Sequence, residues 1–160
     1  MEFAELVRQI RTALPEAVLE EHADAFSPWV LVERESLPAL ALLLRDDPAL
    51  ACNELMCLSG VHAPGPEGDK LWSVIHVFSM RHRHKLGVKV VVDAADPVLP
   101  SVAAVWPTAD WHEREAFDMV GLIYRGHPDL RRILCPDDWE GHPLRKDYVT
   151  PATYNGMPLD

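Results

Sequence analysis

The sequence predicts an α+β fold: two layers, a mainly antiparallel sheet with helices packed on one face, and an extended proline-rich C-terminal tail. Three observations predict it. Apolar residues recur at helical spacing near the N-terminus and again after Pro107. Between these stretches lie apolar runs joined by short links, as in hairpins. Beyond Gly121, Pro128, Pro136, Pro143, Pro151 and Pro158 recur, too often for a segment with its own core. The expected division is an α+β domain over residues 1–121 and an extended segment over residues 122–160 that carries two Gly-His-Pro turns.

The elements follow in order. Phe3, Leu6, Val7, Ile10 and Leu14 share one helical face, and Pro15 stops that helix. Residues 29–33 read as a short strand. Ser36 is placed to cap a helix over residues 37–45, where Pro38 is tolerated in the first turn and Asp46, Asp47 and Pro48 end it. Residues 54–61 read as a strand and residues 62–70 as a turn. Residues 71–80 form a longer strand, apolar on both faces and therefore central, and residues 81–85 are a basic turn into a hairpin partner over residues 86–93. Pro97 and Pro100 lead the chain away from the sheet. One helical turn is expected over residues 101–105, and a charged helix follows Pro107.

Composition bounds the function. A chain of 160 residues with 48% hydrophobic and 25% charged side chains has enough apolar surface for one real core. The net charge of −10 argues against nonspecific nucleic-acid binding, and nearly all of it, −9, falls in residues 1–69. No apolar run reaches the roughly 20 residues of a spanning helix, and the first residues lack the pattern of a secretory signal. A cytosolic chain is expected, meeting a membrane only through partners. Cys52, Cys57 and Cys135 form no C-x-x-C pair and read as free thiols rather than an iron–sulfur or zinc site.

Residues 111–147 hold the densest chemistry: Glu113, Arg114, Glu115 and Asp118 on the helix, then His127 with Arg131 and Arg132, then His142 with Arg145 and Lys146. Asp110 and Glu113 have capping-box spacing, and Gly121 suits a left-handed C-cap. Ala116, Phe117, Met119 and Val120 form the apolar arc, with Arg114, Glu115 and Asp118 opposite. Glu113 points to the apolar side and has two readings. It reaches back as the capping carboxylate, or it is buried and paired with Arg131 or Arg132. The carboxylates each have an arginine near in sequence, which favours ion pairing over general acid–base work. There is no nucleophile motif, phosphate loop or metal-binding histidine spacing. His127 and His142 precede prolines and are expected to set turns. The two basic pairs are expected to project as anchors for carboxylates on a partner.

The run from Glu113 to Val120, followed by His127, Arg131 and Ile133 at their spacings, resembles the signature of the C-type subunit of NADH–quinone oxidoreductase, the thirty-kilodalton subunit of respiratory complex I. The stretches GHPLRKDY (141–148), VWPTADW (105–111) and IHVFS (75–79) are similar to the same family, and the resemblance is specific over residues 72–148. Val120 and Trp139 depart from the bulkier aromatic and the phenylalanine common there, and the short stretch after Pro151 is expected to lack contacts made by longer members.

The resemblance implies a non-catalytic subunit of the hydrophilic arm, on the cytoplasmic side of a prokaryotic inner membrane. It would pack against the forty-nine-kilodalton, D-type subunit and near the cluster-bearing B-type subunit. It also implies no cofactor in this chain, with FMN, iron–sulfur clusters and quinone on partner subunits. Related energy-converting hydrogenases and quinone oxidoreductases with other donors carry equivalent subunits. The reading from a different class is a freestanding acid–base or metal-dependent enzyme.

Overall fold

A computed structural model describes residues 1–66 and 68–159; Glu67, in the expected turn, and Asp160, in the expected C-terminal segment, lie outside the described residues. Helix α1 (Phe3–Ala13) buries Leu6, Val7 and Ile10, the stripe its spacing predicts. Strand β1 (Val18–His22) pairs antiparallel with β2 (Trp29–Val32). Strand β1 is not legible in the sequence, because its run of Glu20, Glu21 and His22 hides the alternation of a strand. Helix α2 (Leu37–Asp46) buries Leu37, Leu40, Ala41 and Leu44. Ser36 precedes it but makes no side-chain cap bond; its own N–H instead donates to the Glu33 carboxylate at 2.7 Å, closing a single tight turn.

The central hairpin is longer than expected. Strand β3 (Glu54–Gly65) and β4 (Gly68–Phe78) pair through most of the expected turn, down to Gly65 opposite Gly68. Gly68 sits at φ 99°, which an L side chain rarely adopts, so the glycine lets this pairing close so near its end. Strand β5 (Lys85–Asp93) returns antiparallel to β4 and then pairs parallel with β2. The order β1-β2-β5-β4-β3 has antiparallel pairing at every step but that one. A second pair, missed from sequence, sets β6 (Val98–Pro100) parallel to β7 (Ile123–Arg125), bracketing helix α3 (Ala109–Val120).

Leu71, Ser73, Ile75 and Val77 of β4 face the helices and are buried, whereas Trp72, Val74, His76 and Phe78 on the opposite face are only half-buried. Each fully buried leucine or isoleucine of this core is worth roughly 1.5–3 kcal/mol relative to exposure. Helix α3 lies close on β3: a Cβ at Gly60 would stand 3.2 Å from those of both Ala116 and Val120. Beyond Arg125 the described residues form turns and one short hairpin, β8 (Thr153–Tyr154) with β9 (Met157–Pro158). No helix among the described residues is long and apolar enough to cross a membrane.

Candidate functional site

Helix α3 holds the charged residues, and the fold turns most of them inward. Its first turn does not form the expected capping box. The helix begins at Ala109, so Asp110 lies inside it, and Thr108 at the cap position makes no side-chain bond. The Glu113 carboxylate, fully buried, accepts from the Val102 N–H at 2.7 Å and from the Ser101 hydroxyl at 2.6 Å. The capping reading of Glu113 is therefore corrected; the burial reading holds, but its bonded partners are neutral donors rather than Arg131 or Arg132. Burial pushes its carboxyl up to about 7, against the opposing pull of those two hydrogen bonds.

His127 shares this interior. Its Nδ1 accepts from the Asp129 N–H at 3.0 Å, so the ring proton sits on Nε2 and is donated to the Asp110 carbonyl at 3.1 Å. The Asp110 carboxylate stands 3.1 Å from the same nitrogen and that of Glu113 4.0 Å. His127 thus sets a turn, as expected, and also ties it to α3. Below this group the buried Tyr124 hydroxyl meets Ser73 Oγ at 3.1 Å.

Asp118 is the second organising carboxylate. The projection placed it on the polar side beside Arg114, but it is fully buried and bonded elsewhere. One oxygen accepts from the backbone N–H groups of Ile133, Leu134 and Cys135 at 2.7–3.0 Å. The other takes Arg132 Nη1 at 2.6 Å. Burial opposes the charge, but the donors of Cys135, Leu134, Arg132 and Ile133 outweigh it and hold the carboxyl below its usual range. Arg132 also donates to the carbonyls of Trp139 and Gly141, so it points inward and does not project as an anchor. Arg114, buried as well, lies over the Trp111 ring at 5.0 Å and reaches the Arg131 carbonyl at 3.4 Å.

The remaining predicted residues divide. His142 donates from Nδ1 to the Asp118 carbonyl at 2.9 Å and lies against Gly121, the left-handed C-cap at φ 88°. Glu115 is exposed, Arg131 is exposed and paired with Asp129, and Arg145 pairs with Asp147. Lys146 acts through its backbone: its N–H donates to His62 Nδ1 at 2.9 Å. His62 was missed from sequence, because nothing near it in the chain marks it. Its ring forms, with Asp69 and Asp147, a group of metal-ligand residue types. The Lys146 bond occupies Nδ1 and leaves the proton on Nε2, which faces Asp69 at 3.7 Å. A protonated Nε2 has no lone pair to offer a metal, and at 3.7 Å it makes no hydrogen bond to Asp69.

The elements α3, β7 and the segment through residue 148 are thus bound by signature residues. The profile of the family described as "Respiratory-chain NADH dehydrogenase, 30 Kd subunit" matches residues 30–154. The chain belongs to this family. The C-type subunit of the NADH-quinone oxidoreductase of Chloroherpeton thalassium is 45% identical over 153 residues, covering 94% of this chain and 62% of that protein. The protein of the same description in Chlorobium phaeobacteroides is 44% identical, covering 95% of this chain and 98% of its own length. The chain therefore spans somewhat less than two thirds of the first of these relatives and nearly all of the second.

Among solved structures, the trypsin-resistant fragment (1-134) of Nqo5 superposes with a TM-score of 0.63 at 26% identity, over 81% of this chain and all of the fragment. A chain of the membrane-bound sulfane sulfur reductase, an archaeal respiratory membrane complex, gives 0.71 at 19% identity, over 93% of this chain and 86% of that one, a likeness of fold. Within the 30 kDa subunit family, the matched range takes in every signature residue from Glu113 to Lys146.

Proposed function

We infer that this chain is a non-catalytic hydrophilic-arm subunit of a proton-pumping NADH:quinone oxidoreductase. It scaffolds the D-type subunit that shapes the quinone site and the B-type subunit that carries a cluster. FMN, iron–sulfur clusters and quinone reside on partner subunits, and the assembly lies on the cytoplasmic side of the inner membrane. Family membership supports the assembly, and one structural observation supports the non-catalytic role. The charges that looked most reactive, Glu113, Asp118, Arg114 and Arg132, are taken up in bonds that hold α3 to its neighbours. What remains outward, Glu115, Arg131 and Lys146, suits contact with a partner.

A tagged chain recovered from solubilised membranes tests this. D-type, B-type and flavoprotein subunits are expected to co-purify with NADH-driven quinone reduction, and the flavoprotein identifies the electron donor. Recovery of the chain alone, with turnover or one firmly held zinc or iron per chain by elemental analysis, would overturn the reading.

A further inference from the structure

The sheet has two faces, and helices α1, α2 and α3 cover one. On the other, the register builds an apolar row and, beside it, a row in which Lys89 stands between Val74 and Leu31 and which ends at Glu20 of β1. Val61, Trp72 and Val91 stand side by side across β3, β4 and β5, with Val61 and Val91 37% and 36% exposed. In the next row Val74, Lys89 and Leu31 are neighbours across β4, β5 and β2. Gly87 lets Trp29 of β2 lie close against β5, since a Cβ there would stand 2.8 Å from that of Trp29.

Lys89 occupies the middle of this face. Its ammonium lies 3.6 Å from the centre of the Trp29 ring and 5.1 Å from that of Trp72. Lys70, on the neighbouring strand, is satisfied by Asp93 at 2.6 Å. Lys89 has no carboxylate within 4.0 Å among the described residues. Burial already lowers its ammonium below the usual lysine range. A lysine stem that shields one ring accounts for Lys89 but leaves the adjoining valines in water.

We propose that this outer sheet face is a docking surface for a partner polypeptide of apolar contact surface that sets one carboxylate opposite Lys89. The proposal rests on the subunit reading and adds to it a face distinct from the signature region, since α3 and the segment bonded to it lie on the helical side. Charge selects the occupant. A second copy stacked about a two-fold axis here would bring two Lys89 ammoniums together. Nucleic acid and anionic lipid are disfavoured by the chain's net charge of −10. A local carboxylate in an apolar surround completes the cation that the two tryptophans hold in place.

The test uses the complex carrying Val91→Cys, with maleimide labelling at position 91 mapped by peptide mass. Formation of the wild-type complex tests the subunit reading by itself, so the two can fail separately. Labelling in the complex is expected to be at least about tenfold slower than in the isolated full chain. Equal rates would overturn the proposal. So would protection of the isolated chain that grows with its own concentration, or protection by phosphatidylglycerol vesicles alone. In a second arm, Lys89→Arg is expected to keep complex recovery while Lys89→Glu lowers it at least about tenfold, with the melting temperature of the isolated chain unchanged. Recovery of Lys89→Glu complex at the wild-type level would remove the carboxylate from the proposal. Should Lys89→Glu fail to fold, the labelling arm decides.

Discussion

Glu113 sits between two protonation states near neutral pH, and this sets the sign of its effect on stability. Its folded value of about 7 lies above the ordinary 4.5, so the folded chain binds this proton more tightly than the unfolded one. The contribution is fully present below about pH 4.5 and is lost as pH rises through 7, roughly 3 kcal/mol in all. Glu113→Gln keeps an acceptor for the Val102 N–H without the charge. Its unfolding free energy, followed by urea titration from pH 5 to 8, is expected to lack this decline and to exceed the wild type at pH 8. Asp118 works in the opposite direction. Its carboxyl is held low, so its contribution is full above the ordinary carboxylate range and lost as pH falls through the folded value. Asp118→Asn sets an amide among four donors and is expected to cost about 3 kcal/mol at pH 7, read from the urea midpoint.

At the scale of elements, α3 shows where periodicity succeeds and where it misleads. The spacing located the helix, two buried residues of its apolar arc, Ala116 and Val120, and its left-handed end at Gly121, while Phe117 and Met119 of that arc are only half-buried. It also assigned Asp118 and Arg114 to a solvated face, because a helical projection counts charge as outward. Here residues 126–148 cross that face and supply the donors that make burial of charge tolerable. Gly121 carries two constraints at once, positive φ and the His142 ring 2.7 Å from where a Cβ would lie. Gly121→Ala is expected to destabilise by about 2 kcal/mol, more than the 1 kcal/mol or so of conformational strain alone, and to displace His142, seen as a shift of its ring resonances.

For the whole molecule, the tie between His62 on β3 and the Lys146 N–H links the sheet to the far segment. His62→Ala is expected to raise hydrogen exchange at residues 142–148 by about tenfold while moving the melting temperature little, since one hydrogen bond is worth about 1 kcal/mol. If Arg131 faces a partner, Arg131→Ala should lower recovery of the assembled complex and leave the melting of the isolated chain unchanged, because its ion pair among the described residues, to Asp129, is exposed and worth little. The α+β class, the order of most elements and the family were legible in the chain, because apolar period, turn residues and signature spacing are local properties. The parallel meeting of β2 with β5, the β6–β7 pair and the length of the β3–β4 hairpin were not, since they join residues far apart or hide behind glycine and proline. The destinations of Glu113, Asp118 and Arg132 were likewise beyond local reading. A buried charge takes its meaning from the donors that surround it, and those come together only when Ser101, Val102 and residues 132–135 have folded onto α3.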